Sequence, residues 1–187
     1  IVSKNGAKEM FLKIYRWIML IGAVFSMAFI FYNSGQNAEK SSGRSENVSK
    51  IVAETVVPGF KELPPEEQKT EAKKIEAPLR EIAHGCEFAM LAFFVFGFGA
   101  TFCRTGKEER LIACAASLLF CFLYALSDEW HQTFVDGRAA EWFDIGMDTI
   151  GSVAGILCSA LLYFVIGRIR AASFRKKGRN VSSKAAA

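Results

Sequence analysis

Ser127 to Gly155 reads SDEWHQTFVDGRAAEWFDIGMDTIGSVAG, and the order of polar and apolar residues along it decides how the chain folds. Its first part holds five carboxylates, Asp128, Glu129, Asp136, Glu141 and Asp144, together with His131, Gln132 and Arg138. It then enters an apolar run, Ile145 to Ile166, and carries a sixth carboxylate, Asp148, into that run. Another apolar run, Leu111 to Leu126, precedes it. A charged loop hung between two apolar runs of roughly helix-spanning length belongs at a membrane surface.

Two further runs lie upstream. Ile14 to Tyr32 contains a single charge, Arg16, and His84 to Cys103 contains Glu87 one turn in. A helix needs about 20 residues to cross a hydrocarbon core of about 30 Å. Three runs meet this length, and Leu111 to Leu126 does so with Ser127 or with local thinning of the bilayer. The chain has 187 residues, 51% of them hydrophobic, and a mean hydropathy of +0.21. Its 23 Lys and Arg and 19 Asp and Glu are segregated from the apolar runs. The sequence therefore predicts an all-α integral membrane bundle of four transmembrane helices, a multi-pass protein of the cell membrane whose first partner is the lipid bilayer. The net charge of +4 is too small to argue for nucleic acid, and no nucleic-acid partner is expected. The chain begins at Ile1, so an initiator or short leader is expected upstream. The first run is long for a signal-peptide core and no A-x-A site follows it, which predicts an uncleaved signal anchor. The five cysteines are odd in number, form no CxxC pair and sit in or beside apolar runs, so they read as small hydrophobes.

The charges between the runs alternate. The N-terminal segment has four basic residues against one acid, the 104–110 turn three against two, and the tail from Gly167 seven against none. Segment 34–83 has eight against nine, and 127–144 has one against five. The positive-inside rule then gives N-in, C-in, with 34–83 and 127–144 both outside. The expected divisions are a cytoplasmic N-terminus at 1–13, the first span at 14–33, and an extracytoplasmic connector of about 50 residues at 34–83. A core with three spans follows at 84–166, then a basic cytoplasmic tail at 167–187. Within the connector, Val48, Ile51, Val52, Thr55 and Val56 recur at helical spacing and predict a short amphipathic helix at the interface. Pro64-Pro65 opens a second helix, which Pro78 is expected to close.

Two polar clusters then meet at the outer surface. The first is Arg80, Glu81, His84 and Glu87, with His84 and Glu87 three apart on one helix face. In the second, a helix through Tyr124 to Phe134 puts Tyr124, Asp128, His131 and Gln132 on one face and turns Glu129 and Trp130 elsewhere. Val135-Asp136-Gly137-Arg138 reads as a tight turn that uses the freedom of Gly137. Asp144, Asp148, Gly151, Gly155 and Ser159 form one helical stripe whose small residues admit a neighbouring helix, so its acids are expected to face inward. A pocket drawn from these residues supports three readings. It is a catalytic site, with crowded carboxylates holding a proton, a His as base or nucleophile, and Arg138 gripping a phosphate or carboxylate. Or it is a binding pocket without turnover. Or it is a structural network that locks the bundle. Two His and several carboxylates are also metal-ligand types, but no strict ligand motif is present, and the sequence names neither metal nor cofactor.

DEWHQTFVDGR, followed by Asp144, Asp148 and the Gly151/Gly155 pair, resembles the VanZ-like membrane proteins, whose pattern runs DE-x-x-Q-x-F-x-P-G-R, an Asp, an Asn or Asp, and G-x-x-x-G. LREIAHGCEFAMLAFF and YNSGQNAEKSSGRS are similar to two further segments of that family. The resemblance implies catalytic-type residues at His84, Glu87, Asp128, Glu129, Gln132, Asp144 and Asp148, to which the residue reading adds His131. It implies ligand binding by Arg80, Gly137 and Arg138. Asp136 stands where the family has Pro, and Phe88 where Tyr is common. The implied role is in the cell envelope, through an anionic lipid-linked or peptidic ligand and an effect on susceptibility to teicoplanin-type glycopeptides. The alternative is a structural or partner-binding bundle, and whether the protein is an enzyme stays open.

Overall fold

The structure is a computed structural model that describes residues 4–36, 38–103, 106–138 and 140–185. All regular structure among them is helical: α1 (Lys4–Ser34), α2 (Ala38–Val56), a short 3-10 turn (Phe60–Glu62), α3 (Pro65–Ala100), α4 (Lys107–Gln132) and α5 (Trp142–Ala185). Four stretches are long and apolar enough to cross a membrane: Glu9–Ser34, Pro65–Ala100, Lys107–Gln132 and Trp142–Ile169. Their outer faces carry large apolar side chains with nothing packed over them, among them Ile21, Phe25, Leu123, Leu157 and Phe164. An apolar surface of this extent suits a lipid environment. The side chains of Lys4, Lys8, Arg104 and the tail cations from Arg170 onward, on which the charge alternation leans, lie outside the described residues.

Helix α3 is the centre of the bundle and packs against each of the other α-helices. Its contact with α5 is close because of glycine. A Cβ on Gly151 would collide with the backbone carbonyl of Gly85, and one on Gly155 with that of Ala89. The Asp144 to Ser159 stripe thus brings the two backbones together as its small residues predict. Beside this seam, Phe88, Leu91, Ala92 and Phe96 of α3 pack with Ile30 of α1, Cys121 and Ala125 of α4, and Ile145 and Ile156 of α5.

One expectation changes. Pro78 does not close a helix; it lies inside α3, which runs unbroken from Pro65 to Ala100. Proline removes the hydrogen bond to the carbonyl four residues earlier. That carbonyl belongs to Lys74, and both Lys74 and Pro78 are exposed, so water is available to the freed group. The start of α3 has the features read from the sequence, a proline at its first position and Glu66 and Glu67 in its first turn. Helix α2 carries the apolar stripe read from the sequence. Its packed face is Ser49 and Ala53, both fully buried, while Val48, Ile51 and Val56 stay about half or more exposed. Val48 also lines a cavity toward α1 and α3.

Candidate functional site

One end of the bundle collects nearly every polar residue singled out in the sequence. Helix α1 ends there with Asn33 and Ser34, α4 ends with Asp128, Glu129 and Gln132, and α5 begins there with Asp144 and Asp148. The middle of α3 supplies His84 and Glu87 at the same level. Cross-helix hydrogen bonds fix this arrangement. Asn33 Nδ2 donates to Glu87 Oε1 at 2.8 Å, and Ser34 Oγ to Asp128 Oδ2 at 2.7 Å. Gln132 Nε2 donates to both Asp128 Oδ2 and Glu129 Oε1, at 3.1 and 2.9 Å, and its own Oε1 accepts from an Arg138 terminal nitrogen at 3.1 Å. Glu129 Oε2 accepts the Glu141 backbone N–H at 2.8 Å. His84 Nδ1 lies 4.0 Å from Glu87 Oε2, so the i, i+3 pair meets on one face.

The turn that brings Arg138 back is built as the sequence suggests. Arg138 N–H donates to the Val135 carbonyl at 3.1 Å. Gly137 holds φ at 78°, the third-residue geometry a type II turn requires. Burial and then the neighbouring Arg80 charge pull the Arg138 pKa below its ordinary value, while Asp128, Glu129 and Asp144 act the other way.

Glu129 departs from expectation. It is 3% exposed rather than turned away. Helix α4 meets polar partners on two sides: Ser34 of α1 at Asp128 and the Glu141 backbone at Glu129. Trp130 does turn outward, at 68% exposure. Asp148 points inward as the glycine stripe predicts, at 2%, among the charges of Asp128, Glu129, Asp144 and Glu87.

A cavity of 540 Å³ opens beside this network, between α1, α2 and α3. Of the sequence-derived residues, Arg80, His84, Glu87 and Arg138 line it; Phe29, Tyr32, Leu79, Ile82 and Val48 give it an apolar wall. Asp128 and His131 line a separate cavity, and Glu129, Gln132, Gly137, Asp144 and Asp148 line neither. The candidate residues therefore divide into a lining set and a supporting set. Several buried atoms in both sets have no hydrogen-bond partner: Glu87 Oε2, Asp128 Oδ1, His131 Nδ1, Arg138 Nε and Asp148 Oδ1. Among the described residues, no three His, Cys, Asp or Glu converge as a metal site.

Asn33, Ser34 and Gln36 are not among the expected site residues, since Asn33 falls at the end of the expected first span and Ser34 and Gln36 at the start of the connector. The signal was that this segment also shares in the family resemblance. Of the two departures from the family pattern, Phe88 is fully buried in the core, 6.1 Å from the Tyr124 ring, and does not line the 540 Å³ cavity. Asp136 is exposed.

No curated protein matches the chain, and no solved structure does. The VanZ/LLP1 family model matches residues 18–163. That match takes in all of α3 and α4, most of the first and fourth spans and every residue of the polar end, and the chain belongs to the VanZ/LLP1 family.

Proposed function

We propose that this membrane protein binds an anionic amphiphile of the cell envelope, with the head against Arg138, Arg80 and His84 and an alkyl chain along Phe29, Leu79 and Ile82. The observation that carries this reading is the make-up of the 540 Å³ cavity, a mostly apolar lining that includes both Arg80 and Arg138. Arg is suited to bidentate recognition of phosphate and carboxylate. The wall favours a lipid-linked ligand over a bare peptidic one, because a peptide carboxylate alone leaves Phe29 and Ile82 uncovered. His84 and Glu87, adjacent on the cavity floor, are the pair placed for proton transfer to a bound ester; Asp128, Glu129, Gln132, Asp144 and Asp148 support them from behind. We place this end outside the membrane, with both termini inside, on the alternation of charge along the chain. By extension, 34–83 is an extracytoplasmic connector, 84–166 the core and 167–187 a cytoplasmic tail. An effect on teicoplanin-type susceptibility then follows from sequestering or altering an envelope lipid.

The test is direct binding in nanodiscs. Dodecyl phosphate is expected to bind at least about tenfold more tightly than dodecanol or inorganic phosphate, since head and tail each contribute. Equal affinity for dodecyl phosphate and dodecanol sinks the anionic reading. Teicoplanin susceptibility of cells expressing the His84→Ala and Glu87→Gln variants tests the envelope role; variants indistinguishable from the wild type remove these two residues from it. Maleimide labelling of Lys61→Cys and Lys107→Cys in a cysteine-free chain tests orientation. Labelling of position 107 alone from outside the cell inverts it.

The second reading, a bundle locked by its polar network, is favoured by the Ser34, Asp128, Gln132 and Arg138 chain of hydrogen bonds. It requires those residues to act through stability alone.

A further inference from the structure

The cluster at the α1 and α4 ends has a second opening. This cavity, of 240 Å³, shares no lining residue with the one at Arg138. Phe31, Tyr124, Trp130 and Phe134 give it an aromatic wall, and Asp128 and His131 complete it. The Phe31 ring meets His131 at a tilt of 33° with centroids 4.4 Å apart, and Trp130 meets Phe134 edge-on at 5.4 Å. Aromatic faces carry partial negative charge and attract cations within about 6 Å. A carboxylate 97% withdrawn from solvent lies among them. Its Oδ2 is taken by Ser34 and Gln132, while its Oδ1 has no partner, and neither has His131 Nδ1. The first cavity gathers guanidinium groups; this one gathers π faces, one carboxylate and two unused polar atoms.

We infer that this aromatic cavity receives the primary ammonium group of a phospholipid headgroup. Three features select that chemistry. Aromatic faces and a buried carboxyl favour a cation over phosphate. The spare Asp128 oxygen is an acceptor, and so is His131 Nδ1 with the ring proton on Nε2. A primary ammonium carries three donors and no acceptor, so it satisfies both, whereas a quaternary ammonium satisfies neither. The position fits as well: Phe31, Trp130 and Phe134 stand at the ends of two spans, at the depth of lipid headgroups. Both spare atoms are closed to bulk solvent. Entry of the ammonium therefore requires a side chain of the wall to move, and Trp130 and Phe134, 68% and 71% exposed, are the most exposed of its rings.

The experiment reads Trp130 emission in a Trp17→Phe, Trp142→Phe background, in nanodiscs of phosphatidylglycerol doped with phosphatidylethanolamine or with phosphatidylcholine. Phosphatidylethanolamine is expected to give a saturable change at about tenfold lower mole fraction than phosphatidylcholine, the worth of one charge-assisted hydrogen bond. Asp128→Asn is expected to abolish the difference. Phe134→Ala, at an exposed position away from the Arg138 cavity, is expected to weaken the phosphatidylethanolamine response and leave dodecyl phosphate binding intact. That separates failure here from failure of the anionic site. Equal responses to the two lipids overturn the primary-ammonium assignment. A phosphatidylethanolamine preference that survives both substitutions overturns the location, as does no lipid response at all, which leaves a bound water as the partner of the spare atoms.

Discussion

The two ends of the bundle handle charge in opposite ways. At the Arg16 end, one cation caps one helix. Arg16 Nε donates to Thr101 Oγ1 at 3.0 Å, a terminal nitrogen reaches the Thr101 carbonyl at 3.4 Å, and the guanidinium lies 4.1 Å from the Phe102 ring centroid. A cation at the C-terminus of α3 also complements the helix dipole. The unpartnered buried atoms nearer that end, Tyr15 OH and Ser159 Oγ, are neutral hydroxyls. At the other end, Glu87, Asp128, Arg138 and Asp148 each keep a buried atom without a partner. Ionisable groups at such depth are costly and tend to mark function. A network evolved for stability alone resembles the Arg16 arrangement. The polar end holds more charge than its internal hydrogen bonds use, and it lies beside two cavities, one lined in part by Arg80 and Arg138 and the other by aromatic rings with Asp128 and His131.

Substitutions sharpen this contrast, beginning with the seam that holds both ends in register. Gly155→Leu drives a side chain into the Ala89 carbonyl and is expected to cost ~3 kcal/mol or to prevent assembly; unfolding in detergent measures it. An unaltered unfolding midpoint contradicts the close α3 to α5 contact. Ser34→Ala removes a donor from the buried Asp128 carboxylate and is expected to cost about 2 kcal/mol. Arg16→Ala at the opposite end is expected to cost about 1 kcal/mol, with no loss of ligand binding. Should it impair dodecyl phosphate binding as strongly as Arg138→Gln does, the functional distinction between the ends fails. Lys61→Ala removes the exposed Lys61–Glu54 pair, 3.1 Å long, and is expected to change stability by less than ~0.5 kcal/mol.

Much of this was legible in the sequence because membrane helices advertise themselves by length and apolarity. The small-residue stripe from Gly151 to Ser159 likewise announced which face of α5 turns inward, and Asp148 followed it. Gly137 announced its turn. What stayed hidden depended on the third dimension. Nothing local distinguishes Glu129, whose burial comes from a backbone N–H twelve residues later. Asn33 and Ser34 look like the polar exit of a span until α3 and α4 are placed beside them. Pro78 reads as a stop, yet the helix runs through it, with the freed carbonyl on the exposed Lys74. The division of the candidates between two cavities was beyond pattern reading, since Asp128 and Arg138 belong to one motif yet line different walls.

The central claim is that the polar end is a ligand site rather than a lock. The most direct measurement compares wild type and Arg138→Gln by thermal unfolding in nanodiscs, with and without dodecyl phosphate. Without ligand, the two proteins are expected to unfold within about 2 °C of each other, because Gln can still donate to Gln132 and the change in unfolding free energy stays under about 1 kcal/mol. With ligand, the wild type is expected to be stabilised and the variant not. A variant that unfolds many degrees lower by itself, with dodecyl phosphate stabilising neither protein, contradicts the account and leaves the network as structure alone.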